Sequence, residues 1–229
     1  MSKTQFAVIG LGTFGSNLAK ELFKRGFPVL AIDNKEEIVN KITSFVTQAI
    51  VADATDGKAL ENAGIKDCDT VVVAIGEDIE TSILATLVVK DLGIKNVIVK
   101  CISQWHSKIA VKIGADRVIY PEFEMAKKLA ESMVSPNILE QIEVSKDFNL
   151  VEIVAPKKCH GKTIKDSEIR TKYGINVIAI KKHIPFINDE GQPDIEEKTN
   201  VAPGPDDEIM ENDILVIVGK QEQIEKFNK

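Results

Sequence analysis

The chain has 229 residues, 44% of them hydrophobic and 28% charged, with a formal net charge of −6 at pH 7. That length accommodates one large domain or two small ones, and the apolar content is that of a globular protein. The acidic balance leaves non-specific nucleic-acid binding with little electrostatic support, and no apolar run approaches the roughly 20 residues that a membrane-spanning helix requires.

The opening five residues lead into too short an apolar segment, without a small-residue cleavage site, for a secretory signal. The apolar run Phe6-Ala7-Val8-Ile9 then opens into Gly10-Leu11-Gly12-Thr13-Phe14-Gly15, glycines spaced G-x-G-x-x-G. Leu18, Leu22 and Phe23 fall on one face of a following helix. In such a strand–turn–helix unit Gly10 turns the chain, Gly12 lets a pyrophosphate approach the backbone, and Gly15 lets the helix pack on the strand. The helix N-terminus then faces the anion. A second apolar run, 27–32, ends in Asp33, about twenty residues beyond Gly10, where these folds place a carboxylate for ribose hydroxyls. A purely structural turn with Asp33 as a helix N-cap is the alternative, and both roles are compatible.

Residues 36–45 carry Ile38, Ile42 and Phe45 at helical spacing. Ala49-Ile50-Val51-Ala52 reads as a third strand ending in Asp53-Ala54-Thr55-Asp56. Ligands sit beyond the carboxyl ends of the strands in this fold, so Asp53 is placed to meet an adenine amino group or a ribose. Helix capping is the alternative there, with Thr55 or Asp56 the better caps. A short helix closes at 61–65. The wholly apolar 70–75 run is a fourth strand, buried on both faces, with Ile75 and Gly76 leaving room for an adenosine. A long helix covers 79–92, and 96–100 is a fifth strand. Lys100 ends it with a cation suited to a phosphate; a merely solvated lysine is equally open. A helix over 105–113, a sixth strand at 117–120, and a helix starting at Pro121-Glu122 follow. Six strands alternating with helices over about 120 residues make a doubly wound parallel sheet with right-handed crossovers. The expected domain is 1–134, leaving little chain for a catalytic domain.

Ser135-Pro136-Asn137 breaks the last helix. Residues 135–147 are expected to form a connector, a short amphipathic crossover element through Ile138, Leu139, Ile142 and Val144. Residues 148–229 form a small α+β unit: a strand at 150–154, a short helix within 161–172 ending in glycine, and a strand at 175–180. A polar loop region with room for one hairpin fills 181–205, including Asn188-Asp189-Glu190-Gly191. A strand at 214–219 and a terminal helix at 221–227 complete the unit. Its thin apolar content points to dimerisation. Cys68, Cys101 and Cys159 are odd in number and far apart, so a reduced, cytoplasmic protein is expected. His106, His160 and His183 are equally scattered. No Cys/His metal cluster is expected, though carboxylates can hold a divalent ion beside a phosphate.

The runs AVIGLGTFG, AIDN at 31–34, VADATD at 51–56, VVVAIGEDIETS at 71–82, IGADRVIYPE at 113–122 and KYGINVIAIKK at 172–182 together resemble the cytoplasmic KtrA/TrkA-type regulatory subunits of bacterial potassium uptake systems. The resemblance covers almost the whole chain. It implies a Rossmann-like nucleotide-binding RCK-N domain followed by a small α+β RCK-C domain, in a homodimer assembling into an octameric ring beneath a membrane potassium transporter. ATP or ADP would bind the first domain and switch the ring. By position, Gly10, Gly12, Thr13, Phe14 and Gly15 would line the phosphates, with Lys100 at hand. Asp33 and Asn34 would take the ribose, and Asp53, Ala54 and Thr55 the adenine end. Ile75 and Gly76 would flank the nucleoside. Glu122 would sit near a divalent cation such as magnesium, at the phosphates of neighbouring protomers. Family members of this kind bind cyclic di-AMP at a dimer interface, for which Arg170, Ile175, Asn176 and Val177 are the nearest matches.

One departure stands out: many such sequences carry arginine where this one has Thr13. A neutral hydroxyl cannot make that charge-assisted bond to a terminal phosphate. Lys20, Lys24 and Lys100 are the cations left to supply it, or the ligand is NAD(H), as the TrkA-like relatives suggest. Asp33 suits either and would repel the 2′-phosphate of NADP. No regulatory reading requires chemistry by the chain itself. The rival readings are an NAD-dependent oxidoreductase, for which no His lies beside a carboxylate near the nicotinamide end, and a nucleotide sensor serving another cation transporter.

Overall fold

The computed structural model describes residues 4–187 and 193–229, with residues 183–187 and 193–197 described by backbone alone. The expected Asn188–Gly191 turn lies outside the described residues. Contacts divide the chain into two units, Met1–Met125 and Ala126–Lys229, a boundary earlier than the expected one after residue 134.

The first unit alternates strands and helices: β1 (Phe6–Ile9), α1 (Thr13–Lys24), β2 (Val29–Asp33), α2 (Glu36–Ile42), β3 (Gln48–Val51), α3 (Gly57–Asn62), β4 (Thr70–Val73), α4 (Ile79–Asp91), β5 (Asn96–Lys100), α5 (Gln104–Lys112), β6 (Arg117–Ile119) and the start of α6 (Pro121–Val134). The six strands form one parallel sheet in the order β3-β2-β1-β4-β5-β6. The order reverses between β1 and β4, which defines the switch point where doubly wound folds receive ligands.

Alternate side chains of each central strand enter different cores. Ala7, Ile9, Leu30, Ile32, Val71 and Val73 pack on one face with Leu60, Ala85 and Val89 of α3 and α4. Val8, Val29 and Ala31 pack on the other with Ala19 of α1 and Val39 and Ile42 of α2. Every residue of β4 is buried, as a central parallel strand demands. Each fully buried Val, Leu or Ile contributes about 1.5–3 kcal/mol of transfer free energy. The register pairs Ile9 with Ile32 and with Val73, so the chain leaves β1, β2 and β4 at one level. Asp56, Asp78 and Ser103 cap α3, α4 and α5 through their side chains.

The second unit is an antiparallel sheet in the order β11-β10-β13-β8-β7, built from β7 (Ile138–Glu143), β8 (Phe148–Val154), β10 (Asn176–Ile187), β11 (Pro193–Val201) and β13 (Ile214–Lys220). Between them lie β9 (Lys162–Thr163), paired with β12 (Glu208–Ile209), and the short α7 (Ile169–Tyr173); α8 (Gln221–Asn228) ends the chain. Val151, Ile153, Ile180, Leu215 and Ile217 form the core with Ile224 and Phe227 of α8. Tyr173 meets Phe227 edge to face, ring centroids 5.3 Å apart.

Two expectations need correction, and a third is made definite. The 138–144 stretch is no crossover element but the edge strand β7. A bulge between Ile138 and Glu140 breaks the two-residue alternation, so Ile138 packs on the core while Ile142, which regular alternation would put on the same face, is exposed. The hairpin for which 181–205 left room is β10–β11, longer than that span because β10 begins at Asn176, with Ala179 opposite Val201. An antiparallel ladder is held by backbone bonds and tolerates a polar sequence. The helix expected within 161–172 shrinks to α7, whose Gly174 cap is left-handed (φ 70°), because β9 takes the residues before it. Among the described residues no helix is long and apolar enough to cross a membrane.

Candidate nucleotide-binding site

The strand ends bring the glycine turn, Asp33, Asp53, Ile75, Gly76, Lys100 and Glu122 to the carboxyl edge of the sheet. Gly10 leaves β1 at φ +88°, and a Cβ there would stand 2.9 Å from Ile75 Cγ1 and 3.0 Å from Ile75 N. A side chain at that point would be both strained and blocked. A Cβ on Gly15 would overlap the carbonyl oxygen of Gly10, so α1 packs on the strand only because Gly15 has none. Gly12 is different: a Cβ there meets nothing within 4 Å. It faces open space in front of α1, at the place the sequence assigns to a pyrophosphate.

Helix α1 begins without a side-chain cap and without an acidic residue in its first turn. Its leading N–H groups lack intrahelical acceptors, and no acidic side chain of its own first turn offsets the helix dipole. Ser16 Oγ donates to the Leu11 carbonyl at 2.5 Å, fixing the turn from below. Thr13 is exposed, and Phe14 packs partly on the adjoining core.

Asp33 ties β2 to this turn. Its Oδ2 accepts from the Leu11 amide at 2.7 Å and its Oδ1 from the Lys35 amide at 2.9 Å. It does not cap α2, whose N-cap is Lys35. A carboxylate oxygen accepts two bonds, so each keeps a lone pair for a ribose hydroxyl. Asn34 beside it is exposed. Asp53 Oδ1 accepts from the amide and hydroxyl of Thr55 at 2.9 and 2.8 Å, and these bonds hold its carboxyl below the usual range. Asp56, not Asp53, caps α3. Ala54 is buried in the core, which leaves only its backbone for a ligand.

Lys100 is not a solvated lysine. Its Nζ lies 2.6 Å from Glu122 Oε1, with the Lys100 side chain 12% exposed and that of Glu122 66% exposed. The bond to Lys100 keeps the Glu122 carboxyl below its ordinary range. Of the other cations considered, Lys20 stands over the Phe45 ring at 5.0 Å. Glu122 joins no cluster: among the described residues no three His, Cys, Asp or Glu side chains converge as a metal site. Burial pushes the Cys68 and Cys101 thiols up to about 11, which leaves them protonated and poor nucleophiles.

Arg170, Ile175, Asn176 and Val177 lie in the second unit, at α7 and the start of β10. Arg170 and Asn176 are exposed. Ile175 is fully buried and Val177 packs on the same core, so the Ile175 side chain cannot face a ligand. Sequence reasoning missed the Leu11 amide, the Ser16 hydroxyl and the Lys100–Glu122 pair. The first two follow from the turn's geometry; the third joins residues from different elements and leaves no local signal.

A 3-2-1-4-5-6 parallel sheet, a glycine turn at its switch point and an acid ending β2 define a Rossmann-like module, here followed by a small antiparallel unit. The TrkA-N domain matches residues 6–121 and the TrkA-C domain residues 150–229. The chain is 41% identical to the Ktr system potassium uptake protein C of Bacillus subtilis over 99% of its length and 97% of that protein. It is 42% identical to the Ktr system potassium uptake protein A of the same organism over 97% and 95%. The chain belongs to this family of Ktr-type potassium uptake proteins, with a TrkA-N domain followed by a TrkA-C domain. Among solved structures, the GsuK channel bound to NAD shares the fold at TM-score 0.54 and 23% identity, over all of this chain and 38% of that one. GsuK bound to ADP matches 57% of this chain and 34% of its own at TM-score 0.50 and 26% identity.

Proposed function

We propose that this chain is the nucleotide-sensing regulatory subunit of a Ktr-type potassium uptake system and performs no chemistry of its own. The observation that carries the reading is the switch point itself, where open space at Gly12 meets an uncapped α1 with Asp33 on one side and Lys100 on the other. These residues fit a nucleotide: amides and a dipole for phosphates, free lone pairs on Asp33 for a ribose. The names of the Bacillus subtilis relatives supply the transport system, and the NAD and ADP complexes of GsuK supply the ligand class.

In this reading ATP and ADP bind the first unit, and their differential affinity for two assembly states sets the state of a membrane-embedded potassium transporter from its cytoplasmic side. The assembly is a homodimer-based octameric ring. Glu122 would offer one carboxylate to magnesium or another divalent ion, whose remaining ligands would have to be the phosphates, water or a neighbouring protomer. Arg170 and Asn176, exposed in the second unit, are the contacts offered to cyclic di-AMP. Thr13 favours a second reading, in which NAD(H) is the effector and no terminal phosphate has to be gripped. Potassium flux into vesicles holding the partner transporter tests the function: flux through the reconstituted pair should change between ATP and ADP, and indifference to every nucleotide would remove the reading.

A further inference from the structure

Lys100 and Glu122 reach each other from different elements, and they are held unequally. The Lys100 side chain is almost covered, while Glu122 is mostly in solvent. The ammonium has walls from both sides of the switch point. Its Nζ would be 3.2 Å from a Cβ on Gly76, which follows β4, and it lies 5.7 Å from the Phe14 ring centroid, in the first turn of α1. A covered cation at the edge of an anion-receiving space is thus neutralised by a carboxylate that water already solvates. Such a carboxylate is weakly held, and a phosphate brings more charge and more acceptor oxygens.

We propose that the Lys100–Glu122 pair is a ligand-released latch on α6: the phosphate of a bound nucleotide takes Lys100, and Glu122 lets go. The proposal rests on the nucleotide reading above and adds how occupancy is reported. Glu122 stands in the first turn of α6, whose backbone bonds begin with the Glu124 amide to the Tyr120 carbonyl at 2.9 Å. The boundary between the two units falls inside this same helix, at Met125/Ala126. A change at its first turn therefore enters an element that continues into the second unit. Phosphate and Glu122 compete for one ammonium, so strengthening the latch weakens the binding of a phosphate-bearing nucleotide and leaves that of adenosine untouched.

The test uses the full chain, stripped of nucleotide, in EDTA so that no divalent ion intervenes. ATP is the charged probe and adenosine the uncharged one. Glu122→Gln should bind ATP about fivefold tighter than the wild type, and Lys100→Met about tenfold more weakly, with adenosine affinity unchanged in both. Hydrogen exchange supplies an independent readout. ATP should speed exchange at the amides of residues 124–127 in the wild type, and Glu122→Gln should show that faster exchange without ATP. Equal or weaker ATP binding by Glu122→Gln, or exchange in α6 indifferent to ATP, overturns the latch while leaving the nucleotide site standing. Failure of both ATP and adenosine to bind the wild type removes the nucleotide reading together with the latch.

Discussion

Two glycines of one turn separate folding from binding. Gly15 has no space for a side chain because the Gly10 carbonyl occupies it, whereas Gly12 has open space. Gly15→Ala must push α1 away from β1, an overpacking that costs about 1–3 kcal/mol. Chemical denaturation of the nucleotide-free protein should show that loss. Gly12→Ala should cost at most about 1 kcal/mol, through the poorer N-cap, yet fill the space a pyrophosphate needs. Calorimetry should therefore find its nucleotide affinity lost while its denaturation midpoint moves little. Equal stability losses in the two variants would contradict the division of labour. The turn was legible in the sequence because glycine spacing encodes backbone geometry directly. The acid ending β2 was legible because a strand fixes where its last residue stands. Lys100–Glu122 was not, since a pair formed across the sheet edge has no periodic signature. Ile175 misled for the opposite reason: adjacency to the exposed Asn176 says nothing about which side of a strand a residue occupies.

At the scale of elements, α4 and α5 enclose a group with no part in the site. His106 of α5 is buried, its Nε2 3.2 Å from Ser82 Oγ of α4, while its Nδ1 has no hydrogen-bond partner. Burial lowers its pKa from the ordinary 6.5. The unfolded chain therefore takes up this proton at a higher pH than the folded one. Stability that is fully present above pH 6.5 is lost as pH falls below it, by at most about 1.4 kcal/mol per unit. Denaturation at pH 7.5 and 5.5 should show the loss, and His106→Gln should reduce the difference. A difference unchanged by the substitution would mean another group is responsible. The strand β7 makes a separate claim. Amides of 138–143 that bond to β8 should exchange slowly, in step with the sheet of the second unit, and fast exchange would restore the crossover reading. Strands of the first unit were readable because buried parallel strands are continuous apolar runs. β7 was hidden by its bulge and the length of the β10–β11 hairpin by its polarity, features that leave the backbone ladder intact while erasing the side-chain pattern.

The whole molecule is two compact units whose boundary lies within one helix, with a site of nucleotide-binding design in the first. Under the proposed function it would act by shifting a population, and a ligand moves an equilibrium only as far as its affinities for the two states differ, tenfold for about each 1.4 kcal/mol. Calorimetric titration of the nucleotide-stripped full chain with ATP, ADP and NADH, with and without magnesium, decides whether the first unit senses nucleotides. Saturable binding of the adenine nucleotides is expected, with ATP and ADP differing in affinity; tighter binding of NADH would transfer the same site to the NAD(H) reading. No saturable heat from any of the three would rule out a nucleotide-sensing subunit.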